Sequence, residues 1–318
     1  MNRPILAFMR RRAHRLLLAA FCVLGFAESA AQIETSSSLK GYIVEVESAR
    51  KARDKRFLDK KSSPLGVVAI TRLDGSRVTV GSIAEANLRI PDIEVGPIHA
   101  EVLRIQNGDQ VQWLLKPVDG KIVNEQSGAP VNGVQLREGD LYRLGRHFLY
   151  FNDLSTLGPV IRAFDPRAKA FDHFQGLSYF PIDPKWRVDA EIIPEAQPTA
   201  ITVADTQGWR RAGWKYGHIR FQLEGQSFTL QLWVFKPDPG PEDEFLVAFR
   251  DETSGDESYG GGRYLDIPFV KSGRTILDFN RAYNPSCAYN NGFACPIPPP
   301  ENRLPVPIRA GEKVFPHP

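Results

Sequence analysis

Several familiar catalytic signatures are missing from this chain of 318 residues. It contains no Gly-x-Ser-x-Gly nucleophile elbow, no His-Glu-x-x-His zinc motif, no Walker loop and no dinucleotide fingerprint. These absences remove the usual sequence evidence for most hydrolases, metalloproteases and nucleotide-dependent enzymes. The residues themselves indicate no cofactor.

Long apolar runs are also scarce, and the longest one, LLLAAFCVLGFA, lies near the N-terminus. Five arginines precede it, and Ser29 and Ala31 form a small-x-small cleavage site before Gln32. This layout predicts a secretory signal peptide over residues 1–31. The run is too short for a membrane span and no second candidate follows. We therefore expect a periplasmic or secreted protein without a stable membrane span.

Removing the predicted signal peptide changes the charge balance. The peptide carries five Arg and one Glu, a surplus of four positive charges, so the formal net charge falls from +3 to −1. The basic isoelectric point then gives no reason to expect a nucleic-acid partner.

Cysteine is rare, with three in the chain, and only Cys287 and Cys295 follow the signal peptide. An even pair in an oxidising compartment predicts a disulfide. A tetrahedral metal site would need two further ligands, and no Cys-x-x-Cys or paired His lies nearby, so no metal is predicted. A redox or nucleophilic thiol is the remaining alternative.

Four segments follow the signal peptide, and together they indicate a mainly β protein. Residues 32–64 are rich in Ala, Lys, Arg and Glu and predict a helix and linker. Residues 65–152 contain short apolar strands separated by turn residues, which indicates a β-sandwich. Residues 153–166 are interpreted as a linker because of Gly158-Pro159. Residues 167–318 predict an antiparallel β-meander domain that ends in an irregular segment rich in Cys and Pro.

The sandwich resembles a forkhead-associated domain. The resemblance rests on the Gly81-Ser82 pair and on NLRIPD, VGPIHAEV, VNGVQL and LREGDLYRLG in that order. The phosphate-binding Arg of that family would fall on Ser82, and the Ser of its Ser-x-x-His motif on Gly96. Since Ser82 cannot replace a guanidinium fork, the resemblance implies the scaffold without phosphopeptide binding.

The C-terminal half is similar to the bacterial family catalogued as domain of unknown function 1684. The resemblance rests on FQGLSYFPIDPKWRV, RDETSGDESYGGGRYLD and LDFNRAYNPSCAYNNGFACPIPPPENRLPVPIRAGEK. It implies no activity. The strongest local pattern here is YGHIRFQLEGQSFTLQLWVF, in which two alternating segments flank a short turn and predict a β-hairpin.

Charged and amide side chains concentrate between the last predicted strands and the Cys-containing segment. We interpret them as a candidate site for a small polar or anionic ligand or an envelope component, with Arg263 as the fork for a carboxylate or phosphate. A structural salt bridge among Arg263, Asp278 and Glu301 is the alternative. A hydrolase or transferase that uses Asp278 and Glu301 as acid and base is a third possibility. The candidate ligand-binding residues are Arg263, Tyr264, Asp278, Asn280, Asn284, Glu301 and Asn302.

Overall fold

The computed structural model describes residues 38–108, 110–154 and 158–316. The predicted signal peptide, residues 1–31, lies outside the described residues. Within those residues, no helix has the length and apolar content needed to cross a membrane. The chain divides between Lys51 and Ala52 into two compact units, and every strand belongs to the second.

A helix, α1, covers residues 38–57 inside the predicted helix and linker. The fold class is confirmed, because the strands that follow form three sheets in which antiparallel pairs predominate. A second helix, α2 (Ala170–His173), has one turn.

The N-terminal sandwich consists of two five-stranded sheets. The first contains β1 (Val67–Arg72), β6 (Ile122–Asn124), β8 (Leu141–Leu144), β9 (His147–Leu154) and β10 (Gly158–Phe164), in the order β1-β10-β9-β8-β6. The second contains β2 (Arg77–Gly81), β3 (Leu88–Arg89), β4 (Ala100–Asn107), β5 (Gln110–Pro117) and β7 (Val134–Gln135), in the order β3-β2-β4-β5-β7. Alternate apolar residues from both sheets, among them Val80, Val102 and Leu115, form one buried core.

The predicted linker at residues 153–166 is wrong, because half of it is strand β10 and its first two residues belong to β9. This strand pairs with β1 on one side and β9 on the other. Its residues Val160–Phe164 are all buried. Burial of successive residues without alternation is typical of a central strand that is covered on both faces. The Gly158-Pro159 pair begins the strand rather than marking the end of a domain.

The C-terminal sheet has six strands and curls around its own core. Its strands are β11 (Arg187–Ala204), β12 (Arg210–Leu223), β13 (Gln226–Val234), β14 (Glu244–Phe249), β15 (Arg263–Pro268) and β16 (Gly273–Asp278). The order is β15-β14-β13-β12-β11-β16, so the last strand returns to pair with β11 instead of extending the meander. The predicted hairpin corresponds to β12 and β13, joined at Glu224-Gly225.

The segment after β16 is irregular, as expected from its composition. It forms short 3-10 turns at Phe279–Arg281, Ser286–Ala288 and Pro300–Asn302. Its backbone is held by side chains and isolated bridges, such as Tyr264 with Tyr283 and Arg250 with Arg303, rather than by a sheet. This segment connects the C-terminal sheet to the sandwich.

Candidate functional site

Arg263 at the start of β15 lies at the centre of a buried clamp. Its side chain is fully buried and its guanidinium lies 2.6 Å from the carboxylate of Asp251. It also donates hydrogen bonds to the backbone carbonyls of Ile308, at 2.8 Å, and Ala310. We call this set the Arg263 clamp. The predicted cluster of Arg263 with Asp278 and Glu301 does not form, since Asp251 is the acid that approaches Arg263.

The clamp explains why Arg263 is not placed to bind a ligand. A buried guanidinium must be matched by acceptors, and here they come from one carboxylate and the carbonyls of the C-terminal segment. The glycines before Arg263 serve the same packing: a Cβ at Gly262, where φ is +96°, would overlap the carbonyl oxygen of Phe249.

Asp278 and Glu301 occupy different surroundings. The Asp278 carboxylate caps the 3-10 turn that follows it by accepting from the Asn280 amide at 3.1 Å, and it lies 3.3 Å from Arg281. Glu301 is exposed in the first turn of the segment Pro300–Asn302. An acid and base pair must reach the same substrate, whereas Asp278 is buried against a backbone turn and Glu301 is exposed. The geometry therefore gives the proposed catalytic pair no support.

The remaining predicted site residues hold backbone segments in place. Asn280 bonds both the amide and the carbonyl of Asp183, at 3.1 and 2.8 Å. Asn302 donates to the carbonyls of Gln231 and Ala248 at 3.2 and 2.9 Å. The Tyr264 hydroxyl donates to the carbonyl of Pro296. Such amides replace the missing sheet ladder in an irregular segment.

A second buried polar cluster surrounds Glu312, a residue that was not among the predicted site residues. Its carboxylate accepts from the backbone amide of Asn284 at 3.0 Å, from the Arg53 guanidinium at 3.2 Å and from the Tyr289 hydroxyl. Arg53 comes from α1, and it also donates to the Asn284 carbonyl at 2.8 Å. We call these four residues the Glu312 cluster. Asn284, which was predicted to bind ligand, is fully buried within it.

Burial has a marked effect on the acids of the Glu312 cluster. It raises the pKa of Glu312 above its ordinary value of 4.5, although Arg53 and Tyr289 act in the opposite direction. Burial also raises the pKa of the Tyr289 hydroxyl. Three donors converge on the Glu312 carboxylate and offset part of the cost of burying its charge.

Cys287 and Cys295 are free thiols, which corrects the predicted disulfide. The sequence was right that they meet: the Cys287 amide donates to the Cys295 sulfur at 3.2 Å, and both residues are buried. The hydrogen bond from Cys295 lowers the pKa of Cys287 to about 7, and the same bond raises the pKa of Cys295. Of the two neighbouring thiols, Cys287 therefore ionises more readily than Cys295.

Residues 287–295, which we call the Cys loop, lie between the sandwich and the C-terminal sheet. Asn290 donates to the Val67 carbonyl of β1 at 2.7 Å, and Phe293 packs with Phe148 and Phe164 of the sandwich. On the other side, Thr206 donates to the Phe293 carbonyl at 2.8 Å. The thiol pair therefore closes the loop that joins the two β structures.

A cleft of about 500 Å³ lies beside α1 and shares Arg53 with the Glu312 cluster. Lys55 and Arg56 also line it, together with Ser286 from the C-terminal segment. Asp59 is the acid in its wall, and that carboxylate accepts from the Ser62 hydroxyl at 2.7 Å. We call this the cationic cleft. Neither Lys55 nor Arg56 forms an ion pair with any residue in the described part of the chain.

Sequence reasoning missed the cationic cleft for an identifiable reason. The run ARKARDKR belongs to the segment predicted as a helix and linker, and such a charge pattern usually marks the solvated face of a helix. What places it at a site is a contact between Arg53 and Glu312, which lie far apart in the chain. No local pattern predicts that contact.

Comparisons with known proteins extend over most of the described strands. The family described as Protein of unknown function (DUF1684) matches residues 172–313. No curated protein matches the chain. A solution NMR structure of an uncharacterized protein from Haloarcula marismortui is 34% identical, over 46% of this chain and 80% of that chain, with a TM-score of 0.39.

Forkhead-associated domains match the sandwich, which confirms the expected resemblance. The FHA-2 domain of an ABC transporter from Mycobacterium tuberculosis is 24% identical over 29% of this chain and 78% of that chain, with a TM-score of 0.23. A domain solved in a study of phosphothreonine-dependent FHA domain interactions is 24% identical over 31% of this chain and 95% of that chain, with a TM-score of 0.20.

Proposed function

We propose that this chain, whose residues 172–313 match the family described as Protein of unknown function (DUF1684), binds a small anionic ligand in the cationic cleft. The observation that carries the proposal is that Lys55 and Arg56, which form no ion pair with a described residue, both line a cleft of about 500 Å³. Paired cations beside a hydroxyl, here Ser286, suit a carboxylate or a phosphate. The volume falls within the range of pockets for small molecules.

The rest of the site supports binding rather than catalysis. Arg53 is neutralised by Glu312 and stacks on the Tyr283 ring at 4.8 Å, so it forms a rigid edge of the cleft. A nucleophile needs a base within hydrogen-bond reach, and the lining combines two serine hydroxyls, Ser62 and Ser286, with no histidine. Ligand recognition is the function that these groups can perform together.

Charge reversal at the cleft tests the proposal. The double variant Lys55→Glu and Arg56→Glu should weaken binding of inorganic phosphate and of citrate by at least tenfold, or about 1.4 kcal/mol, since two attractive charges become repulsive. Isothermal titration calorimetry at low and moderate salt measures the change. Wild-type affinity should fall as salt rises, because exposed charges are screened.

A matched control reverses two exposed basic residues on the sandwich, Arg104→Glu and Lys116→Glu. It alters the net charge by the same amount, so its affinity should stay within twofold of the wild type. Equal losses in both double variants would mean that net charge, and not the cleft, governs binding. Wild-type protein that binds neither anion would refute the proposal.

We also propose that the protein is exported, because residues 1–31 have the layout of a signal peptide. Expression of the full chain in a Gram-negative host should give a periplasmic product whose intact mass corresponds to a chain beginning at Gln32. Mass spectrometry of the periplasmic and cytoplasmic fractions checks this result. A cytoplasmic product that retains residues 1–31 would contradict export.

A further inference from the structure

The thiol pair of the Cys loop, Cys287 and Cys295, takes no part in the proposed anion binding. Its two sulfurs come from opposite ends of the loop and meet in a buried position, where Cys287 is 8% exposed and Cys295 is 7% exposed. We propose that this pair is a two-coordinate site for a soft monovalent metal ion, Cu(I). The site lies apart from the cationic cleft, and the proposal is independent of it.

The number and type of ligands determine which metal fits. Structural zinc requires four ligands, and the described residues contain no group of three or more His, Cys, Asp or Glu that could hold a metal. Two thiolates alone suit an ion that prefers soft sulfur and accepts linear coordination. Among the metals available to proteins, Cu(I) has both properties.

Two buried arginines lie beside the loop. Arg211 of β12 is 8% exposed and donates to the carbonyl of Ala294, the neighbour of Cys295, at 2.7 Å. Arg162 of β10 is also 8% exposed, and its guanidinium lies 5.1 Å from the ring of Phe293. Both cations therefore lie beside the Cys295 end of the loop.

These cations are incompletely neutralised by the described residues. Asp205 lies 3.6 Å from Arg211. Arg162 donates to the side-chain amide oxygen of Asn152, not to a carboxylate, and its Nε has no partner among the described residues. A buried guanidinium without a counter-ion is costly. An anionic group in the Cys loop would relieve that cost.

Metal binding would supply that negative charge. Cu(I) displaces one proton from each thiol, so one cation enters, two protons leave and a bis-thiolate complex of charge −1 remains. The two guanidinium groups and the Asp205 carboxylate carry a net charge of +1, which this complex would balance. The Tyr259 hydroxyl, 3.8 Å from the Cys287 sulfur, is oriented to donate to the thiolate.

The experiment uses the reduced full-length protein, purified without oxygen and titrated with Cu(I) in competition with bicinchoninate. One equivalent should bind, with a thiolate-to-copper charge-transfer band, and X-ray absorption should show two sulfur ligands and no nitrogen. Cys287→Ser and Cys295→Ser should each reduce affinity by at least a hundredfold. Circular dichroism and melting curves confirm that these near-isosteric variants remain folded, and Cys→Ala variants repeat the test.

Two substitutions of Arg162 form a matched pair. They test whether the buried charge beside the Cys loop contributes to Cu(I) binding, which it would not do at an exposed thiol. Arg162→Gln should weaken Cu(I) binding about tenfold, while Arg162→Lys should stay within threefold because it keeps the charge. Failure to retain Cu(I) against bicinchoninate would overturn the proposal. So would binding that survives removal of both thiols, a third ligand in the absorption spectrum, or a pair that is recovered only as a disulfide under anaerobic reduction.

Discussion

Replacing Arg263 by alanine should lower the free energy of unfolding by about 4 kcal/mol, the largest effect expected for a single substitution in this chain. Removing one partner of a buried ion pair leaves the other charged and unpaired, at a cost of roughly 3–5 kcal/mol. Here the stranded group is Asp251, which lies 2.6 Å from Arg263 in the wild type. The carbonyls of Ile308 and Ala310 also lose their donor.

Urea unfolding monitored by tryptophan fluorescence measures this effect. The control is Arg309→Ala, because Arg309 is exposed and pairs with Glu257 at 2.8 Å. Solvent screens such an exposed pair, which contributes little to stability, so this variant should remain close to the wild type. The double variant Arg263→Ala and Asp251→Ala should lose less than the sum of the single losses, because it removes the stranded charge.

The Arg263 result also decides between the two roles considered for this residue. A ligand-binding Arg263 predicts lost affinity with a melting temperature within a few degrees of the wild type, whereas the Arg263 clamp predicts a large loss of stability. A loss below 1 kcal/mol would contradict the clamp. The full burial of the side chain is the reason to expect the stability loss.

Replacing Glu312 by alanine should cost about 3 kcal/mol. The substitution leaves Arg53, Tyr289 and the Asn284 amide without their common acceptor, and each unsatisfied buried donor costs roughly 1–3 kcal/mol. Glu312→Gln should cost less, because the amide oxygen still accepts while the charge is lost. Glu301→Gln is the matched control, since Glu301 is exposed and should change stability by less than about 0.5 kcal/mol.

The pH dependence of stability distinguishes the charged cluster from simple packing. Burial raises the pKa of Glu312 in the folded protein above 4.5, its ordinary value. The folded state then binds the proton more tightly than the unfolded state, so the contribution of Glu312 is greatest below pH 4.5 and is lost as pH rises through the folded pKa. Denaturation curves should show this decline in the wild type and a flatter profile in Glu312→Gln. Identical pH profiles would contradict the raised pKa.

Much of the strand content was predictable because alternation of apolar and polar residues is a local property. In β12, Ile219 and Phe221 are buried in the core beside exposed Arg220 and Gln222, as the alternation predicted. The linker predicted at 153–166 is wrong because Gly158-Pro159 was given more weight than Val160 and Ile161, the apolar residues that follow it. Burial on both faces removes the alternation that marks a strand.

The candidate site was harder to predict because its residues meet through contacts between distant segments. The sequence identified Arg263 as a ligand fork or a member of a salt bridge, but it could not identify Asp251 as its partner. It identified Asn284 but missed Glu312, 28 residues further along the chain. Arg53 and Glu312 are separated by 259 residues, and their ion pair defines one edge of the cationic cleft.

Composition and local pattern were thus enough to predict a mainly β protein, its hairpin, its irregular C-terminal segment and the meeting of Cys287 with Cys295, because neighbours along the chain control these features. The partners of each buried charge were decided by packing, which brings α1, β15 and the last residues of the chain together. A buried charge must find a counter-charge or a set of hydrogen-bond donors or acceptors. Which residue provides it depends on the three-dimensional path of the backbone, and that path cannot be inferred from the spacing of the residues in the sequence.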